Sequence, residues 1–220
     1  MKDHIIKTIY EEKLIAIVRG IEADKCLKVA DALFEGGFRL LEITFDQKKP
    51  ESWQATAGAI RAVAEKYEGR MEIGAGTVVS VELVELATSA GAKYMISPDA
   101  NPAVIARTLE LGLVSIPGVF SPTEIMAAHN AGAHFIKLFP VSAMSMSYIK
   151  AVRSPISHVP MLAVGGVNEN NLKSFLDAGA VGAGIGGDLV NKAWVESGEY
   201  EKIAELAKKM VAIAKGQQDN

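Results

Sequence analysis

The sequence holds one cysteine, Cys26, in 220 residues, so no intrachain disulfide can form. That suits a reducing compartment. No stretch approaches the roughly 20 apolar residues that a membrane-spanning helix needs. Residues 1–13 mix Lys2, Asp3, Lys7, Glu11, Glu12 and Lys13 with a few apolar positions and contain no secretory-signal core. These absences set the expectation of a cytoplasmic protein with no membrane partner. Long basic runs are also missing, and the formal net charge is −3, so nucleic acid is not an expected partner. A small anionic substrate stays open, because one local positive site outweighs a weak overall charge. No glycine fingerprint of the dinucleotide type follows the first apolar run, which argues against a doubly wound open sheet. The histidines, His4, His129, His134 and His158, show no ligand spacing at strand ends and read as solvated surface. Asp46, Asp99 and Asp188 are scattered and read as turn or helix caps. No metal or other cofactor is expected.

What is present is a 49% hydrophobic chain, enough to bury the core of one domain spanning residues 1–220. Its eight prolines and twenty glycines are spread out, and no low-complexity linker divides it. A weak repeat runs along it. Helix-like segments end in glycine and lead into short apolar runs at 34–44, 88–98, 109–118, 129–140 and 176–187. The glycines are Gly37, Gly91, Gly112, Gly132 and Gly179, each suited to the left-handed turn that closes a helix. Gly91, Gly112 and Gly132 lie 21 and 20 residues apart, one helix plus one strand per period. Further apolar runs at 14–20, 71–77 and 161–166 bring the count to eight. Near-continuous apolar strands suit a parallel sheet buried on both faces. The expected fold is α/β: a single (β/α)₈ TIM barrel, compact against a typical length of about 250 residues. Residues 2–12 are expected to add a helix before the first strand.

In such a barrel the active residues gather near the C-terminal ends of the strands. Lys137 interrupts the otherwise apolar FIKLFP on the sixth expected strand. Lysine is rarely buried unless paired or functional. Burial lowers its pKa and supplies a neutral amine able to attack a ketone. Position alone also allows a lysine that reaches out to solvent. Glu42, in RLLEIT on the second strand, shares a face with Leu40 and Thr44 by two-residue alternation. A carboxylate there can act as general base or pair structurally with a cation. Gly165–Gly166 and Gly186–Gly187 end the last two strands, where barrels often bind phosphate through backbone N–H groups. The bland alternative is that they permit tight turns. Asn168 and Asp188 are placed to cap the helices that follow. Arg19, in IAIVRG, is a candidate anion clamp or an ordinary surface arginine.

The strand ends IVRG, LEIT, GAGTV, SPD, PGV, IKLFP, AVGGV and GIGGDL, in that order over residues 14–190, resemble the 2-keto-3-deoxy-6-phosphogluconate and 4-hydroxy-2-oxoglutarate aldolases. The resemblance implies a metal-independent class I aldolase and a homotrimer. It implies that Lys137 forms a Schiff base with the ketone carbon and that Glu42 moves protons. It further implies that Thr77 helps hold the pyruvate carboxylate. Arg19, Pro98, Phe139, Val164, Gly165, Gly166, Gly186, Gly187 and Asp188 are the remaining candidate substrate contacts. Asp46 stands where gluconate-type members carry an arginine, and Asp188 where they carry a serine. The pattern is closer to the 2-keto-3-deoxy-6-phosphogalactonate branch. Val164 replaces the threonine of gluconate-type members near the expected C4 hydroxyl, which favours acceptance of the galacto-configured acid. Two rival readings remain at this point. One is an epimerase or isomerase acting on a sugar phosphate; the other is a non-catalytic barrel that binds a sugar acid.

Overall fold

The computed structural model describes residues 1–216. The apolar runs form short parallel strands: β1 (Leu14–Val18), β2 (Leu40–Thr44), β3 (Glu72–Gly76), β4 (Tyr94–Ile96), β5 (Val114–Ile116), β6 (Gly118–Val119), β7 (Ile136–Leu138), β8 (Met161–Val164) and β9 (Gly182–Ile185). Helices α1 (Lys2–Glu12), α2 (Cys26–Glu35), α3 (Trp53–Lys66), α4 (Val81–Ser89) and α5 (Pro102–Glu110) alternate with the first half of the sheet. Helices α6 (Pro122–Asn130), α7 (Met146–Arg153), α8 (Leu172–Asp177), α9 (Lys192–Ser197) and α10 (Tyr200–Ala214) accompany the second half. The five glycines expected to end helical runs all have positive φ, from 70° to 99°. A left-handed residue without a Cβ lets the chain turn off the helix and straight into the next strand.

The strand order is β5-β4-β3-β2-β1-β9-β8-β7-β6. Its two end strands are separated in the chain by Pro117 alone, so the fifth expected strand is one run broken in two. Proline has no N–H to give to a ladder. The first piece, β5, pairs with β4, and the second, β6, pairs with β7. Lys137 N–H reaches the Pro117 carbonyl at 2.9 Å, which joins the ends and closes the barrel. The (β/α)₈ expectation with an added N-terminal helix therefore holds closely, with this one strand split.

The same break explains a histidine that the sequence placed on the surface. His134 Nδ1 accepts the Ser115 N–H at 3.2 Å, and the Ser115 carbonyl accepts the His134 N–H at 3.1 Å. The imidazole takes the place of a strand acceptor beside the kink, and burial lowers its pKa. His129 is half-buried with its ring 5.4 Å from that of His158. The surface reading holds only for His4 and His158, which are exposed.

Two apolar layers result. One lies between the sheet and the helices. The other fills the barrel itself with Ile15, Ile17, Leu40, Tyr94, Ile96, Val114, Ile116, Phe135, Leu162 and Val164. Ile5 and Ile9 of α1 belong to this inner layer and are 1% and 0% exposed. The added helix is thus a plug for the N-terminal end of the barrel. The opposite, C-terminal end is the one at which barrels of this kind carry their chemistry.

Candidate functional site

Two charged side chains interrupt the apolar barrel interior. Alternation along β2 turns Leu40, Glu42 and Thr44 inward, and Glu42 is 0% exposed. On β7 the same alternation turns Phe135, Lys137 and Phe139 inward, and Lys137 is 2% exposed. Its Nζ lies 4.7 Å from the centroid of the Phe139 ring. Both groups are buried beneath the mouth instead of standing at its rim.

Space for the carboxylate comes from a glycine. A Cβ on Gly76 would lie 2.8 Å from Glu42 Cδ and 2.9 Å from its Oε1. One residue pair lower, a Cβ on Gly74 would lie 2.1 Å from the ring of Tyr94. At these two levels β3 offers no side chain to the interior, and Glu42 and Tyr94 fill the gap. Glycines two residues apart in a strand are the sequence signal for such a vacated face. Neither Gly74 nor Gly76 was assigned a role from the sequence.

Both carboxylate oxygens of Glu42 are buried without a hydrogen-bond partner. An ionised carboxylate in that setting is costly. Burial pushes the Glu42 pKa up, against the opposing charges of Lys137 and Arg19. Burial likewise pushes the Lys137 pKa down; Glu42 opposes this and Arg19 adds to it. The physical trend is toward a neutral amine and a protonated carboxyl in the same interior. A nucleophilic amine and an acid buried in one interior can add to a ketone and expel water from the adduct.

The other sequence candidates surround this pair. Arg19 follows β1 and is exposed, and its Nη2 donates to Thr77 Oγ1 at 3.3 Å. Thr77 follows β3 in a left-handed conformation, φ 58°. That conformation is an outlier for a β-branched residue and costs about 1–3 kcal/mol. Pro98 follows β4 and is half-buried. It is held because β6 approaches at a glycine: a Cβ on Gly118 would lie 2.5 Å from the Pro98 carbonyl carbon. Ser97 Oγ adds a 2.6 Å bond to the Val78 carbonyl. Val164 is 5% exposed and packs in the inner layer with Ile17 and Leu162.

The two glycine pairs stand on neighbouring strands β8 and β9, as expected. Gly165 and Gly166 have φ 92° and 86°. A side chain on Gly165 would press on Phe139 and Pro140 at 3.1 Å, and one on Gly166 on Ser142 at 2.7 Å. The Gly165 carbonyl accepts from Ser142 N at 2.9 Å and the Gly166 carbonyl from Asn171 Nδ2 at 2.8 Å. Ser142 and Asn171 therefore fix this loop, and neither was picked out from the sequence. After β9, the Gly186 carbonyl accepts the N–H groups of Leu189 and Val190, both at 2.9 Å. Gly187 is exposed with open space around it.

The capping expectations need correction. Asp188 is exposed inside the Gly186 turn, and the helix beyond it starts only at Lys192, where Asn191 Oδ1 accepts from Ala193 N at 2.9 Å. Asn168 caps the turn that precedes α8, accepting from Asn170 N at 3.0 Å. Asp46 is exposed and caps its own loop as expected, its Oδ1 accepting from Lys48 N at 2.9 Å. Among the described residues, no three His, Cys, Asp or Glu side chains cluster as a metal-ligand set. No described helix is long and apolar enough to cross a membrane.

Comparison with known proteins bears on this arrangement. The family model for KDPG and KHG aldolase matches residues 5–206. The 2-dehydro-3-deoxy-6-phosphogalactonate aldolase of Escherichia coli K12 is 37% identical over 177 residues, 80% of this chain and 83% of that protein. A probable enzyme of the same name from Rhizobium meliloti is 36% identical over 200 residues, covering 90% of this chain and 91% of its own. A solved structure described as native KDPGal superposes with a TM-score of 0.83 at 34% identity, covering 93% of this chain and 95% of its own.

Proposed function

The chain belongs to the KDPG and KHG aldolase family, and from that premise we propose how its barrel carries out the reaction. It is a class I aldolase. It cleaves a 2-keto-3-deoxy-6-phospho sugar acid, of galactonate or gluconate type, to pyruvate and glyceraldehyde 3-phosphate. The observation that carries the residue assignment is the burial of Lys137 in the same interior as the unpartnered carboxyl of Glu42.

On this reading the neutral Lys137 amine adds to the C2 carbonyl and gives a carbinolamine. Glu42 donates a proton to the departing hydroxyl, and water leaves with formation of the protonated imine. Glu42, now a carboxylate, takes the proton of the C4 hydroxyl. The C3–C4 bond breaks, its electrons pass into the imine, and glyceraldehyde 3-phosphate departs. The enamine is reprotonated at C3, and water releases pyruvate and the free lysine. Closure of the barrel floor by α1 keeps bulk water away from the buried pair, which strengthens the electrostatics of each step.

Arg19 and Thr77 receive the keto-acid carboxylate, and Pro98 and Phe139 wall the pyruvyl half. The N–H groups around Gly165, Gly166, Gly186 and Gly187 take the phosphate. Asp188, exposed beside that loop, limits how closely the phosphate approaches. Val164 offers the C4 hydroxyl no hydrogen bond, so the site carries no built preference for the gluco epimer. The protein is read as one domain over residues 1–220, a homotrimer and cytoplasmic. Light scattering in solution checks the trimer. The function is tested by coupled pyruvate release from the two C4-epimeric 6-phospho acids. The galacto acid is expected to be cleaved with kcat/KM at least equal to that of the gluco acid. Cleavage of neither would end the proposal.

A further inference from the structure

The loop after β2 is fixed at several points. Asp46 Oδ1 accepts from Lys48 N at 2.9 Å, the Asp46 carbonyl accepts from Trp53 Nε1 at 2.9 Å, and the same carbonyl accepts from Lys49 N at 3.2 Å. Gln47 sits inside that braced turn. Its Nε2 donates to the Thr77 carbonyl at 3.1 Å.

Thr77 is the residue with φ 58°. The next N–H, of Val78, is bonded to the Ile96 carbonyl at 3.1 Å, so β4 holds the chain on that side. Gln47 holds the Thr77 carbonyl, and Arg19 meets its hydroxyl. Arg19 is also the further charge felt by both Lys137 and Glu42. On the carboxylate assignment made above, this group is the one that receives the anion.

We propose that Gln47 is a positioning residue for the keto-acid carboxylate: it holds Thr77 in the left-handed conformation that presents the threonine hydroxyl, together with the Arg19 guanidinium, to that anion. The proposal rests on the Schiff-base reading above. Gln47 itself touches no substrate. An uncharged amide suits the task, because it donates to the carbonyl without adding a competing anion. Its neighbour Asp46, whose carboxylate would compete, is occupied in the turn.

The test is exchange of pyruvate methyl protons for deuterium in heavy water, followed by proton NMR across a range of pyruvate concentrations. Exchange needs the imine and a base but no cleavage. The variant is Gln47→Met, which keeps length and loses the donor. The half-saturating pyruvate concentration is expected to rise about two- to tenfold, the worth of one net hydrogen bond, with a smaller change in the limiting rate. Pyruvamide, which has no carboxylate, serves as the second substrate, and its half-saturation is expected to shift much less. An unchanged value for pyruvate overturns the inference. An equal shift for pyruvamide also overturns it, since the loop would then act only as scaffold. Absence of exchange by the wild-type protein would instead overturn the Schiff-base reading.

Discussion

Gly76→Ala places the heaviest demand on the packing around Glu42. The new methyl would stand 2.7 Å from Thr44 Cγ2, 2.8 Å from Glu42 Cδ and 2.9 Å from Glu42 Oε1. Ordinary contact begins near 3.5 Å, so the carboxyl must retreat by about 0.7 Å or β3 must bend away. Overpacking of this kind costs about 1–3 kcal/mol of stability. The larger effect falls on chemistry, because misplacement of a reacting group by about 1 Å costs about 10²-fold in rate. Coupled pyruvate release gives kcat, and thermal melting gives the stability change. The control is Gly58→Ala, an exposed position in α3 with nothing within 4 Å, where alanine raises helix stability by about 0.5–1 kcal/mol. Turnover within twofold of wild type in Gly76→Ala, with an unchanged melting temperature, would refute the claim that the missing side chain makes the acid's pocket.

Other outcomes follow from the same interior. Glu42→Gln is expected to bind pyruvate but turn over about 10²–10⁴-fold more slowly, as measured by single-turnover cleavage. Lys137 has a folded-state pKa depressed below 10.5. Between the depressed value and 10.5 the unfolded chain binds more protons, so this residue makes stability climb with pH across that window. Lys137→Met should flatten that part of the denaturation-midpoint profile; an unaltered slope would show that Lys137 is not desolvated. Ile9→Ala is expected to cost about 2–5 kcal/mol by opening a cavity under the barrel floor, measured by urea unfolding. Gly187→Val should raise KM for the phosphorylated acid more than for a short keto acid, and equal effects would count against a phosphate site there.

The eight-unit barrel was legible because five helical segments end in glycine and the strands are near-continuous apolar runs. Lys137 and Glu42 were legible for the same reason: a charge inside such a run has no cheap explanation. The break at Pro117 was hidden because the apolar pattern continues through it, while the missing N–H acts only on the ladder. His134 looked like surface because its role, accepting the Ser115 N–H beside that break, exists only in three dimensions. Asp188 was misjudged as a cap because the turn at Gly186 delays α9 to Lys192. Gly74 and Gly76 were read as part of a motif around Thr77, since a side chain that is absent leaves no periodic trace. Gln47 is exposed and polar in a loop, and nothing in its neighbours announces that it spans to Thr77.

The central claim is that the buried amine of Lys137 forms the imine. The protein is incubated with pyruvate, reduced with borohydride and digested, and the modified peptide is identified by mass spectrometry. The account predicts one stable N-(1-carboxyethyl)lysine, at position 137, and no adduct in Lys137→Met. An adduct on another lysine, or none in the wild-type protein, would contradict it.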